Sequence, residues 1–172
     1  MTQQDVILRA IRERRSVRHY TGEPVARETV RTILDAGRWA PSGLNNQPWR
    51  FLVVFPGDPR QEVLAGLTKY ARIVREAGAL IMVCLERQRM YNAMKDHQGA
   101  GACIQNMLLG AHAVGLGAVW LGEIVNRGDE VLTATGLSPE RLELMAVVAL
   151  GHPERAGGGD RIPLDDMLLE PF

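Results

Sequence analysis

The apolar segment at 98–114 constrains the fold of this chain more than any other stretch. It mixes Ile104, Met107, Leu108 and Leu109 with the small residues Ala100, Gly101, Ala102, Gly110, Ala111 and Ala113. Its length predicts a helix, and its small residues let a neighbouring backbone approach closely. A helix this apolar around most of its circumference must be covered on several sides. Two apolar runs at 79–85 and 142–150 have the length of buried strands, and shorter candidates lie at 49–55 and 118–121. Helical spacing marks 5–14, with Val6, Ile7, Ala10 and Ile11 on one face, and 27–38, with Val30, Ile33, Leu34 and Gly37 on the buried side. A polar, weakly patterned helix is expected over 60–75 and a short one over 128–135. Asp96 is placed to cap the central helix, and Gly115–Leu116–Gly117 to stop it. Strands interleaved with helices predict an α/β or α+β arrangement, a sheet sandwiched by helices.

With 172 residues the chain has room for one domain with a real core. It is read as a single domain over 1–172, with 154–172 an irregular carboxy-terminal tail. Its 20 basic residues balance 20 acidic ones, which gives no support for a nucleic-acid or membrane-surface partner. No apolar run reaches the roughly 18 residues of a membrane span. The polar start Thr2–Asp5 lacks the pattern of a secretory leader. Cys84 and Cys103 lie in apolar segments without metal spacing, as core residues of a reduced, cytoplasmic protein do. His19, His97, His112 and His152 share no metal-site spacing, and His112 is read as a hydrogen-bonded core residue. Neither a GxSxG elbow nor a Walker loop is present, so hydrolase and ATPase readings lack their key parts.

Four segments could carry chemistry. Arg14–Arg15–Ser16–Val17–Arg18 follows the first helix where the chain becomes extended, so alternation points residues 14, 16 and 18 the same way. Two arginine forks would then flank a hydroxyl, a set suited to phosphate; alternatively the arginines only complement the dipole at the helix end. The loop from Ala40 to Trp49 offers Ser42, Asn45, Asn46 and Gln47 with a permissive Gly43, or it is an ordinary polar turn. Gly115 and Gly117 follow a helix and precede a strand, the reverse of a dinucleotide fingerprint. Gly122, in contrast, lies where a strand ends and could present backbone N–H groups. Finally, the tail holds Arg155 and Arg161 and ends in Met167, Leu168, Leu169 and Phe172, apolar groups that must pack on something.

These segments occur in an order that resembles the FMN-dependent nitroreductase family over nearly the whole length. The resemblance rests on RRSVRHY at 14–20, APSGLNNQPW at 40–49, IQNMLLGAHAVGLGAVWLG at 104–122, GHP at 151–153 and RIPLDDML at 161–168. It implies an α+β sandwich with a central, mostly antiparallel sheet flanked by helices, and a long buried helix at the interface of a homodimer that holds FMN. Arg14, Arg15, Ser16 and Arg18 match the motif for the phosphate and ribityl chain, with Arg18 the candidate near the pyrimidine end of the ring. Arg161 matches the tail residue that returns to the same phosphate. Pro41, Ser42, Gly43 and Asn45 match the loop that reaches the flavin of the other subunit, and Leu121, Gly122 and Glu123 the segment beside the ring. In the 60–78 region Lys69 and Arg72 are the candidates for the pyrimidine edge. The chain departs from the pattern at Gly159, where relatives often carry a second basic residue, and in its short connection ahead of the central helix. The activity implied is transfer of electrons from NAD(P)H through FMN to nitroaromatics, quinones or related small electrophiles, by a ping-pong hydride mechanism with no catalytic side chain. The alternatives are a specialised flavin enzyme (ene-reduction, dehalogenation or consumption of the flavin) and a non-catalytic flavin-binding module.

Overall fold

The computed structural model describes residues 3–170. Four strands, β1 (Trp49–Val54), β2 (Ala79–Glu86), β3 (Gly117–Leu121) and β4 (Leu142–Gly151), form one sheet in the order β1-β2-β4-β3. Every neighbouring pair is antiparallel. Six helices flank it: α1 (Gln3–Glu13), α2 (Arg27–Arg38), α3 (Arg60–Gly66), α4 (Ala71–Glu76), α5 (Ala93–Ala113) and α6 (Gly128–Ala134).

Strand alternation sorts the core into two layers. Leu80, Met82 and Cys84 of β2 face one side, with Val147 and Ala149 of β4 and Val119 and Leu121 of β3, and pack on α3, α4 and α6. Ala79, Ile81 and Val83 face the other side with Ala146, Val148 and Leu150, and pack on Val30 and Ile33 of α2 and Cys103, Ile104 and Met107 of α5. Both faces being covered, β2 is buried at every position. A strand in that place reads as a continuous apolar run without alternation. The expected α+β sandwich is the one found.

Two local readings need correction. The segment expected as one helix over 60–75 is broken into α3 and α4. At the break the Thr68 hydroxyl accepts from the Tyr70 N–H at 3.3 Å and donates to Glu123 at 2.8 Å, a competing polar fold of the backbone. The cap of α5 is Asn92, whose side chain accepts from the Lys95 N–H at 3.1 Å; Asp96 lies inside the first turns. The helix stop is as expected: Gly115 has φ 79°, Leu116 N–H donates to Ala111 at 2.9 Å and Gly115 N–H to His112 at 3.1 Å. Those two bonds are the paired closure of a glycine-terminated helix.

Several apolar surfaces stay open in the single chain. The stripe on α1 forms as a helix, yet Val6, Ile7 and Ile11 are each about half exposed. Trp39, Leu44 and Met94 are exposed, as are Ile162, Leu164, Met167 and Leu169 of the tail. Of the tail's apolar end, the chain itself covers little, and Phe172 lies outside the described residues. One face of α5 is buried, whereas Gly101, Ala102, Gln105 and Asn106 are only partly covered.

Candidate functional site

Residues 14–18 lie beside β3. Ser16 bridges Ala118 in parallel, and the Val17 N–H donates to the Ala118 carbonyl at 3.0 Å. Val17 points into the core, Arg14, Arg15 and Ser16 are half-buried and Arg18 is exposed. The chain returns to this segment after β4: Tyr20 bridges Pro153, and the Glu154 N–H donates to His19 at 3.0 Å. Gly157 then passes so close that a Cβ on it would meet the Ser16 carbonyl oxygen at 2.6 Å and the Arg15 Cβ at 2.7 Å.

This return encloses a cleft of about 280 Å³ lined by Arg14, Arg15, Val17, Leu108, His112, residues 115–118 and Gly157. His112, half-buried, is part of its wall rather than of the core. Burial, followed by the adjacent Arg161 and Arg15 guanidiniums, lowers the pKa of Arg14 from its usual value. Its Nε is buried without a hydrogen-bond partner. A buried, unpaired guanidinium nitrogen is costly unless an anion completes it. Glu13, on the rim, is turned to Arg9 at 3.8 Å. Arg15 is different: its guanidinium donates to the carbonyls of Arg12 and of Arg14, the latter at 3.0 Å. Those bonds tie it to the end of α1, while it still lines the cleft.

Leu121, Gly122 and Glu123 end β3. Gly122 is exposed, and Glu123 accepts from Thr68, which brings the α3–α4 junction to this segment. Of the two candidates there, Arg72 is spent on Glu76 at 2.7 Å and contacts His19 at 3.2 Å. Lys69 is exposed, 5.4 Å from the Tyr70 ring, with no carboxylate partner among the described residues.

The loop at 41–47 is elsewhere. With Tyr91, Lys95, Gln98, Gly99 and Ala102, residues 41–43 line a separate cleft of about 320 Å³. It sits at the start of α5, and the arginine cleft sits at its end. Gln98 and His112 are fourteen residues apart, about 21 Å along a helix rising 1.5 Å per residue. Within one chain the loop and the arginines are therefore not brought together. The loop carries Leu44, Asn45 and Gln47 at φ 54°, 55° and 45°, left-handed backbone that costs of order 1–3 kcal/mol per non-glycine residue. Hydrogen bonds hold it there. Ser42 Oγ accepts from the Gln47 N–H at 3.2 Å, and Asn46 Nδ2 donates to Asp96 at 2.7 Å and to the Arg89 carbonyl at 2.9 Å. The Asn46 amide is thus turned inward, leaving Asn45 as the exposed one.

Asp96 is the buried polar residue whose place sequence reasoning misassigned. It is 2% exposed, and it ties the loop to the preceding turn by accepting from Asn46 and from the N–H groups of Tyr91 and Asn92, both at 2.9 Å. Burial pushes its pKa up, but these hydrogen bonds and the neighbouring His97 charge outweigh that and hold it below its usual value. Its signal was a carboxylate buried at the fourth position after an Asn cap, too far into the helix for a cap itself.

Fold and clefts together define a class, an α+β sandwich with an arginine-lined cleft at one end of its central helix and a strained polar loop at the other. Within that class the chain belongs to the nitroreductase family, whose model matches residues 11–152. It is 32% identical over 169 residues to an NADH dehydrogenase/NAD(P)H nitroreductase of Methanothermobacter thermautotrophicus, covering 96% of this chain and 87% of that one. It is 30% identical over 153 residues to an NADPH-flavin oxidoreductase of Vibrio harveyi, covering 82% and 63%. Among solved structures, a nitroreductase from Desulfovibrio desulfuricans in complex with FMN superposes with a TM-score of 0.94 at 57% identity, covering 96% of this chain and 97% of that one. Among the described residues no helix is long and apolar enough to cross a membrane, and no cluster of His, Cys, Asp and Glu could hold a metal ion.

Proposed function

We propose that this chain is an FMN-dependent oxidoreductase that uses NAD(P)H to reduce nitroaromatic, quinone or related small electrophiles, and that it works as a homodimer. Arg14 carries the reading: a buried, unpartnered guanidinium nitrogen beside Arg161 asks for a multiply charged anion. A phosphate monoester fits it, since the arginine fork offers two parallel donors. The tail around Gly157 closes the same cleft, with the Ser16 backbone directly against Gly157, which fits the remainder of a phosphate-bearing chain. The FMN bound to the 57% identical relative supports that choice of ligand.

Bound FMN would supply the two-electron chemistry, accepting hydride from NAD(P)H and passing the electrons to the acceptor. The residues of this chain bind and orient. Arg14 and Arg161 hold the phosphate, Ser16 the ribityl chain, and Gly122, at the exposed end of β3, offers backbone to the ring edge beside Leu121 and Glu123. Arg18 and Lys69, both exposed cations near this segment, are assigned to the pyrimidine side, where positive charge stabilises a reduced, anionic ring.

A dimer completes the site. Two copies of α5 packed antiparallel by their small-residue faces would carry the loop of one subunit, with Pro41, Ser42, Gly43 and Asn45, to the arginine cleft of the other. Such a two-fold pairing uses the same patch twice. It would also cover Trp120, which lies 3.7 Å from where a Cβ on Gly101 would be, and it accounts for the open stripe on α1 and the uncovered tail. We read the chain as one domain with 154–172 as its tail, and its two free, buried cysteines fit a cytoplasmic location.

The test is an absorbance spectrum of the purified protein, followed by anaerobic titration with NADH and NADPH and turnover of a nitroaromatic. A yellow protein bleached by either donor and reoxidised by the acceptor is expected. A protein that cannot be reconstituted with FMN, or a monomer in light scattering that still holds it, would overturn the reading.

A further inference from the structure

The cleft at the start of α5 carries one sign of charge. Lys95 is the only ionisable cation or anion on its lining at neutral pH, and it has no carboxylate partner among the described residues. The acidic group next to it, Asp96, is buried and spent on Asn46, Tyr91 and Asn92. His97 contacts Glu143 at 2.9 Å, on another face of the helix. The cleft also has an aromatic wall. The Tyr91 ring lies directly on Gly43: a Cβ there would fall 2.0 Å from the hydroxyl oxygen and 2.4 Å from the ring carbons. One side of Tyr91 is therefore set by the loop, while the residue remains 43% exposed. One helical turn on, the Lys95 Nζ stands 5.6 Å from that ring, within cation–π range, and Gln98 adds an amide.

A partly exposed aromatic side chain, an exposed ammonium over its ring and no competing carboxylate on the lining together suit a ring bearing an anionic group. We propose that Tyr91 and Lys95 form the acceptor-selecting wall of the site, favouring aromatic acceptors whose ring carries a carboxylate over their uncharged isosteres. The inference rests on the preceding reading, because it is the dimer that brings the loop, and Tyr91 with it, to the partner's flavin. The reaction it selects for is ordinary: a nitro group, NAD(P)H and a proton give the nitroso compound, NAD(P)+ and water. Tyr91 supports the ring, Lys95 the charge, and neither takes part in the electron transfer.

The test uses the FMN-loaded protein and two matched pairs of probes. Binding of benzoate and benzamide to the oxidised holoenzyme is measured by calorimetry, and kcat/KM is measured for 4-nitrobenzoate and 4-nitrobenzamide. The parent is expected to prefer the carboxylate in both. Lys95→Gln should lower that preference about five-fold, the scale of an exposed ion pair, Lys95→Glu should reverse it, and Lys95→Arg should keep it. An unchanged preference across the variants, with FMN content and circular dichroism like the parent, overturns the inference and leaves the flavin reading standing. A rise in KM for NADPH but not for NADH or nitrobenzoate would assign the charge to the donor's phosphate, and also overturns it. Protein that never takes up FMN fails earlier, at the flavin reading, and the inference falls with it.

Discussion

At the carboxy-terminal end of α5 the chain gathers arginines and leaves Arg14 unpaired, with its Nε buried. At the amino-terminal end the buried carboxylate of Asp96 is paired within the chain, with Asn46 and with the N–H groups of Tyr91 and Asn92, although Asn46 Oδ1 is itself buried without a hydrogen-bond partner. One end leaves a guanidinium short of partners, and the other pairs its buried carboxylate within the chain. The difference teaches how a single helix can serve two halves of a site. In the proposed site the arginine end would hold an electrostatic deficit for an anion to fill, and the loop end spends its hydrogen bonds to hold a strained loop in a fixed shape.

The most damaging way to break this comparison is to keep the halves apart. Gly101→Arg, on the partly covered face of α5, meets only Trp120 at an ordinary 3.7 Å at its first added atom. It is expected to give a folded monomer with little bound flavin, read by light scattering and flavin absorbance. A flavin-loaded monomer would break the comparison outright. Next comes the binding end alone. Arg14→Ala should weaken FMN by roughly 10- to 100-fold, from about 1.5–3 kcal/mol for hydrogen bonds to a charged group, with a small change in melting temperature. Arg161→Ala, on an exposed residue, should do less, and Arg14→Lys should fall between parent and alanine because an ammonium lacks the fork. Equal dissociation constants in all four proteins would remove the phosphate assignment.

The positioning end should answer to pH. Asp96 has a folded-state pKa below its unfolded value, so the stability it contributes is fully present above the unfolded carboxylate range. It is lost as pH falls through the folded pKa. Asp96→Asn should remove that component, cost about 1–3 kcal/mol from the donors left unmet, and flatten the acid limb of a melting-temperature profile. A parallel acid limb in both proteins would deny Asp96 its role. The smallest effect is in the shared core. Burial raises the pKa of Cys84 and that of Cys103 to about 12. Neither thiol should react with a disulfide reagent at neutral pH until the protein is unfolded, whether or not FMN is bound.

Much of this was legible in the sequence for a physical reason: continuous apolar runs such as 79–85 have few alternatives to a doubly covered strand. Residues 14, 16 and 18 could be placed on one side because extended backbone alternates. Other features depend on contacts between distant residues. The break between α3 and α4 hangs on Thr68 meeting Glu123, fifty-five residues away. Leu44, Asn45 and Gln47 adopt left-handed backbone because Ser42 and Asp96 hold it, and nothing in a leucine's own preferences asks for it. Asp96 looked like a cap, since its type and rough position suit one, and only the turn at Tyr91 and Asn92 reveals what it binds. The separation of loop and arginines, about 21 Å along α5, is a matter of which end of α5 each one packs against. Segment order cannot express that.

In the proposed dimer, the separation of the two half-sites has a genetic consequence. In a mixed dimer, let one subunit carry Arg14→Ala and the other a disabled loop. One composite site then combines both defects, while the second combines an intact arginine cleft with an intact loop. Two chains that are each inactive alone should thus restore up to one working site per dimer when expressed together, a complementation between alleles of a single gene.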